Sequence, residues 1–123
     1  MVENLSTCFN EDAVADFSTY KKVYPPFRTE ADRLALWKGL KNKTIDFVVS
    51  DHHPVETELK EVEFDHANFG TIGLETLLIA FVQEAQNQGF EAVSDVLSYH
   101  PAKFLLVDKK PLELNTMVQG VIL

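Results

Sequence analysis

The spacing of apolar residues predicts helices in two main parts of the chain. The first helix is expected from Thr29, which is suited to be its N-cap, to about Lys41. Its apolar positions are Leu34, Leu36, Trp37 and Leu40. The same spacing returns between Gly73 and Gly89, where Gly89 is suited to end the helix. A further helix is expected from about Phe90 to Tyr99, with a helical turn possible after Pro101.

The other segments are predicted to be extended or irregular. Thr44–Ser50 is rich in β-branched and apolar residues, and it follows a helix after a short polar turn, as a buried parallel strand does. The stretch from Leu5 to Phe9 is interpreted as a strand end or loop, followed by one or two helical turns. Two consecutive prolines require an extended chain over Val23–Arg28. Asp51–Gly73 has no periodicity and is predicted to be a long loop, which in a compact domain is usually functional.

Composition and charge limit the classes of function. The chain has 123 residues, enough for one domain but too few for a complete eight-stranded β/α barrel of about 250 residues. A formal charge of −8 argues against nucleic acid and anionic membranes as partners. The chain shows neither a signal peptide nor an apolar run long enough to span a bilayer, so a cytoplasmic location is expected. Cys8 is the single cysteine and is expected to be an inert thiol.

The densest candidate for chemistry is Ser50–Pro54, where Asp51 is followed by His52 and His53. Ligands of parallel α/β folds bind beyond the carboxyl ends of the strands, so this position suits metal or acid–base chemistry. The alternative is that Asp51 caps a turn and that both histidines are solvated loop residues. No HxH, HExxH or CxxC motif is present, and we expect no independent metal site in this chain.

A second candidate is the glycine-containing segment that precedes the predicted helix of residues 73–89. Gly70 and Gly73 place free backbone N–H groups where they could hold an anion such as a carboxylate. The alternative is that both glycines only permit a sharp turn and close packing. Arg28 could pair with a carboxylate, while Trp37 and Phe81 are expected in the core.

Four motifs together resemble those of a known family. They are Lys22–Arg28, the segment from Gly39 to Asp46, Ser50–Pro54, and Phe69–Thr76. In order and spacing they resemble K-x-N-P-P-L-R, G-T-I-D, T-D-H-A-P-H and G-x-x-G-L-E-T in the C-terminal part of the dihydroorotases, members of the amidohydrolase superfamily. The resemblance covers about residues 10 to 107.

The resemblance implies an α/β fold, namely the C-terminal part of a TIM-type (β/α)8 barrel that is incomplete on its own. Residues 1–107 would form the last strands and helices, and residues 108–123 a tail that begins the following segment. The family is a zinc-dependent hydrolase of cyclic amides that interconverts carbamoyl aspartate and dihydroorotate in pyrimidine synthesis. Asp51 would contact the metal and act as the general acid/base, while His52, Asn68 and Gly70 would contact the substrate. The chain alone is expected to bind no zinc and to be inactive.

The chain departs from the family pattern at several positions. Tyr24 stands where the family has a substrate-contacting asparagine, Val55 where it has a histidine, and Asn68 where it has a proline. Two hypotheses follow: a C-terminal fragment of a dihydroorotase, or a catalytically silent homologue that assembles with aspartate carbamoyltransferase. A small α/β layer without a ligand is the third.

An isolated partial barrel leaves strand edges and a helix face uncovered, so we expect the 123-residue chain to self-associate. Size-exclusion chromatography over a range of protein concentrations tests this expectation. A well-behaved monomer at every concentration would count against the fragment hypothesis.

Overall fold

A computed structural model describes residues 1–108, which form a two-stranded sheet with helices packed against it. In chain order the elements are β1 (Val2–Glu3), α1 (Asn4–Cys8), α2 (Glu30–Lys41), β2 (Val48–Val49), α3 (Leu77–Asn87) and α4 (His100–Phe104). A π-helical segment, Asp95–Tyr99, runs directly into α4. Short 3-10 turns occur at Glu11–Val14, Thr19–Lys21, Thr57–Leu59 and Phe64–His66. Apart from Asp108, the predicted C-terminal tail of residues 108–123 lies outside the described residues.

The prediction of α2 is confirmed at both ends. Thr29 is its N-cap, and a capping box is complete: the Thr29 side chain accepts from the Asp32 N–H, and Asp32 accepts from the Thr29 N–H. Two backbone donors at the helix start are thereby satisfied within four residues of sequence. Because this signal is local, the helix start could be predicted without knowledge of the tertiary structure.

The predicted strand Thr44–Ser50 is too long. Only Val48 and Val49 form β2, which pairs in parallel with β1 in the register Val2 with Val48 and Glu3 with Val49. Earlier in the predicted strand, the Ile45 N–H donates to the Gly39 carbonyl of α2 at 3.0 Å. Since β1 offers a partner of only two residues, the β-branched run extends beyond the ladder that it can join.

The interpretation of Leu5–Phe9 as a strand end or loop is wrong, because Asn4–Cys8 forms α1. A helix this short is not stable in isolation. Tertiary contacts hold it: the Thr7 carbonyl accepts from the Trp37 indole N–H at 2.9 Å and from Arg33 at 3.1 Å. One turn, Glu11–Val14, follows, as expected.

The two later helices differ from their predicted bounds at the N-terminal end. α3 begins at Leu77 rather than at Gly73, because the preceding backbone is used in contacts with the loop after β2. It ends near Gly89, which has a φ of +65° as a glycine after a helix end often does. The last helical run begins at Val93, three residues after the expected start at Phe90, and becomes π-helical over Asp95–Tyr99.

The core lies between the sheet and the helices, and its centre is aromatic. Trp37 stacks on Phe81 with ring centroids 5.2 Å apart, and Phe90 meets Trp37 edge-on at 5.8 Å. Both predicted core residues are confirmed, with Trp37 1% and Phe81 0% exposed. Val2 and Val48 of the sheet belong to the same cluster. The core therefore fixes the position of β2 and the direction in which the chain continues after it.

An ion pair connects α2 to α3 beside this core. Arg33 contacts Glu84 at 2.6 Å, and both side chains are largely removed from solvent. Burial alone would raise the pKa of Glu84, but hydrogen bonds from Arg33, Gln88 and Asn87 outweigh it and lower that pKa. Within residues 1–108, no helix has the length and apolar character required to cross a membrane.

The Glu84 pair makes stability depend on pH. The pKa of Glu84 is lower in the folded than in the unfolded state. Its contribution to the free energy of unfolding is therefore complete above its unfolded-state pKa and is lost as the pH falls through its folded-state pKa. We expect Glu84→Gln to cost about 2 kcal/mol at pH 7, and less as the pH falls. Chemical denaturation at pH 7 and at acidic pH measures this, with exposed Glu91→Gln as the control. An equal cost at both pH values would contradict the prediction.

Candidate functional site

Asp51 lies just beyond the carboxyl end of β2, at the position that the sequence predicts. Its backbone has a φ of +48°, and its side chain is exposed. Because β1 and β2 are parallel, both strands end at this edge of the sheet. The carboxylate is therefore available at the edge where ligands of parallel α/β folds bind.

His52 is held by backbone groups that come from the loop before α3. Its Nδ1 accepts from the N–H of Gly73 and from the N–H of Leu74, each at 3.2 Å. An imidazole nitrogen that accepts hydrogen bonds carries no proton, so the ring proton is on Nε2. The N–H groups of Gly73 and Leu74 therefore bind an imidazole of the same chain, where the sequence allowed for an anion at Gly70 and Gly73.

His53 and Gly70 bring two loops into direct contact: the loop after β2, residues 50–56, and the loop before α3, residues 67–76. The His53 N–H donates to the Thr71 carbonyl at 2.9 Å. Gly70 is buried and has a φ of +125°, and a Cβ added there would lie 2.5 Å from the His53 carbonyl oxygen. The alternative interpretation of Gly70, as a residue that permits a sharp turn and close packing, fits these distances.

Two of the positions that depart from the family pattern also lie at this contact. A Cβ on Gly70 would be 3.0 Å from a methyl carbon of Val55, so Val55 packs against the glycine backbone. Tyr24 is exposed, and its ring meets Phe69 edge-on with centroids 5.6 Å apart. An aliphatic side chain at Val55 and an aromatic ring at Tyr24 thus occupy the positions at which the resemblance expects a histidine and an asparagine.

Asn68 is exposed, but its backbone is anchored on both sides. Its N–H donates to the Leu59 carbonyl at 3.2 Å, and its carbonyl accepts from the Lys60 ammonium at 2.7 Å. Of the predicted site residues, the structure brings Tyr24, His52, Val55 and Gly70 to the contact between the two loops. Asp51 and Asn68 lie beside it, each adjacent in sequence to a loop residue in that contact.

The described residues do not supply a zinc site. Among residues 1–108, no three His, Cys, Asp or Glu side chains are grouped so that they could hold a metal ion. A catalytic zinc usually has three protein ligands, and Nδ1 of His52 is already engaged by two backbone donors. Asp51 could contribute one ligand at most to a site completed by other residues.

Lys60 is the residue of this region that sequence reasoning missed. It is 2% exposed, although it lies in an acidic and otherwise solvent-facing loop. Burial, together with the neighbouring charge of Lys22, lowers its pKa. The only signal in the sequence was a single lysine among the glutamates between Glu56 and Asp65, and that pattern is also typical of a solvated loop.

Comparison with known proteins finds no matching family model but finds similar curated proteins. The chain is 44% identical over 102 residues to the dihydroorotase of Desulforapulum autotrophicum, which covers 81% of this chain and 24% of that protein. It is 37% identical over 116 residues to the dihydroorotase of Ehrlichia canis, covering 92% of this chain and 26% of that one. The dihydroorotase of Acetivibrio thermocellus is 37% identical over 106 residues, covering 84% and 25%.

Over most of its length this chain is similar to the dihydroorotases, which supports its being a dihydroorotase-like C-terminal portion. The resemblance that the four motifs indicate is thereby confirmed. The chain spans about a quarter of the length of the curated relatives it matches. Within the described residues, the candidate site of this dihydroorotase-like portion consists of the end of β2 and the segments that follow β2 and precede α3.

The contact between the loops makes a prediction for Gly70. We expect Gly70→Ala to shift the amide resonances of His53, Gly73 and Leu74, because the new methyl group would displace the His53 carbonyl. Gly89→Ala is the matched control, since Gly89 also has a positive φ but has open space around it. Gly89→Ala should cost about 1 kcal/mol of stability and leave these resonances in place, and Gly70→Ala should cost more. Unchanged resonances in Gly70→Ala would contradict the close approach.

Proposed function

We propose that this chain is the C-terminal part of a dihydroorotase-like (β/α)8 barrel that interconverts carbamoyl aspartate and dihydroorotate. In this proposal residues 1–107 supply the last strands and helices, and residues 108–123 begin the segment that follows the barrel. The observation that carries the proposal is the similarity over most of this chain to only about a quarter of each curated dihydroorotase.

The arrangement of the described elements supports this proposal. β1 and β2 are parallel neighbours, and the loops that follow β2 and precede α3 meet at the carboxyl ends of the strands. Barrel enzymes of this type place their active sites at that face. Two strands of two residues cannot close a barrel, so a complete pocket requires further strands.

Within that pocket the chain's own residues have limited but definite roles. Asp51 presents an exposed carboxylate, which is suited to take up or release a proton during ring opening or closure. His52 directs Nδ1 to the backbone and thereby keeps a proton on Nε2, which can donate a hydrogen bond to a substrate oxygen. Since the described residues do not form a zinc site, no step through zinc is assigned to this chain.

A second function is favoured by Tyr24 and Val55. The Tyr24 ring contacts Phe69 and Val55 packs against Gly70, at the two positions where the resemblance expects an asparagine and a histidine that contact substrate. In this alternative the chain belongs to a silent homologue that acts as a structural partner of aspartate carbamoyltransferase. Loss of both polar contacts would be tolerated there, because no substrate is bound.

A segment exchange separates the two functions. We expect the isolated 123-residue chain to have no dihydroorotase activity. We also expect activity when the chain replaces the matching segment of the Desulforapulum autotrophicum dihydroorotase. Asp51→Asn in that chimera should reduce kcat by about 10² to 10⁴, because a proton-transferring group is removed. The kcat of each protein is measured by monitoring the hydrolysis of dihydroorotate through its ultraviolet absorbance.

The controls decide between the alternatives. Asp46→Asn changes an exposed carboxylate before β2 and should leave kcat unchanged. An inactive chimera that gains activity with Tyr24→Asn and Val55→His would favour the silent homologue, and so would purified 123-residue chain that binds aspartate carbamoyltransferase. Turnover by the isolated chain would overturn the fragment proposal.

A further inference from the structure

The ammonium group of Lys60 is buried and bound by main-chain carbonyls. Its Nζ donates to the carbonyls of Asn68 at 2.7 Å, Thr19 at 2.9 Å and Lys22 at 3.4 Å. A lysine ammonium has three donors, and all three are directed at acceptors. The side chain therefore occupies a cage that is built from two distant segments, Thr19–Lys22 and the end of the long loop.

The buried charge of Lys60 is bound by carbonyl groups and not by a carboxylate. The acidic side chains nearest in sequence, Glu58 and Glu61, are exposed, and the hydrogen bonds of Nζ go to carbonyls instead. Removing a cation from water costs free energy unless the new surroundings replace its hydration. Carbonyl dipoles provide that replacement here, as they do for a bound monovalent cation.

The same cage extends to the candidate site. The Lys22 carbonyl accepts from Lys60 and also from the Gly70 N–H at 3.0 Å. Asn68, whose carbonyl Lys60 also binds, is two residues before Gly70. Gly70 in turn lies against His53, whose N–H is bound by Thr71. Hydrogen bonds through Lys22 and Gly70, and then through the adjacent Thr71, thus connect Nζ of Lys60 to the backbone of the loop after β2.

Lys22 supports the cage from its other side. Its own Nζ donates to the carbonyls of Phe64 at 2.8 Å and Asp65 at 3.1 Å, and it lies 4.9 Å from the centre of the Phe69 ring. The Thr19 hydroxyl donates to the Lys60 carbonyl. Both the backbone and the side chain of Lys60 are therefore fixed to the segment that contains Lys22.

We propose that Lys60 is a positioning residue whose ammonium acts as a tethered cation, holding Phe69, Gly70 and Thr71 against His53 and thereby setting the shape of the candidate site. The importance of that shape for substrate rests on the proposed function. The cation role does not, and it can be tested on the chain alone.

The test compares two substitutions by amide hydrogen exchange. Lys60→Ala leaves an empty space lined by carbonyls, whereas Lys60→Met fills the space with an uncharged side chain of similar length. Both should accelerate exchange of the Gly70 and His53 amides about tenfold or more, while helical amides of α3 keep their protection. Methylammonium chloride should restore protection in Lys60→Ala but not in Lys60→Met. Sodium chloride at equal concentration controls for ionic strength, and Lys38→Ala, on the exposed side of α2, controls for loss of an exposed lysine.

Each outcome decides the proposal. Unchanged protection of Gly70 and His53 in both variants would overturn it, and so would a loss in Lys60→Ala that methylammonium does not reverse. If Lys60→Ala loses protection throughout the chain, methylammonium must restore the fold, and failure to do so counts against the cation role. In the active chimera, Lys60→Met should raise KM more than it lowers kcat. An inactive chimera would contradict the proposed function and leave the exchange result standing.

Discussion

The packing of Trp37 is the constraint on which the rest of the described structure depends. Its ring stacks on Phe81 of α3, and its indole N–H binds the carbonyl of Thr7 at the end of α1. A single side chain of α2 therefore holds two other helices at fixed distances. Because indole burial and its hydrogen bond are satisfied together, neither helix can move without exposing apolar area or leaving a donor unpaired. This arrangement also fixes the sheet, and hence the edge at which Asp51 lies.

The candidate site is shaped by main-chain contacts rather than by regular secondary structure. The loops after β2 and before α3 have few ladder partners, so their backbone groups bind His52, Thr71 and Lys22 instead. Such a surface can have a well-defined shape although it carries few functional groups. It offers one carboxylate, one oriented imidazole and the backbone around Gly70. This composition is consistent with a partial site.

Similarity to the dihydroorotases and packing at the site point to different aspects of the protein. The similarity is spread over most of the chain and concerns its ancestry and fold. Packing at Tyr24 and Val55 concerns present function, since apolar contacts have formed at two positions where the resemblance expects polar ones. A fold tolerates such replacements far more readily than a substrate pocket does, because a pocket loses specific hydrogen bonds with each of them.

The sequence by itself determined the features whose signals are local. The capping box of α2, the end of α3 near Gly89 and the position of Asp51 after the apolar run all depend on residues within a few positions of one another. Tertiary structure alone decided the length of β2, the helical state of Asn4–Cys8, the partners of His52 and the burial of Lys60. Each of these depends on a hydrogen-bonding partner some 8 to 46 residues away in the chain. Periodicity and composition contain no information about which distant carbonyl or N–H group will be adjacent after folding, so these features required the assembled chain.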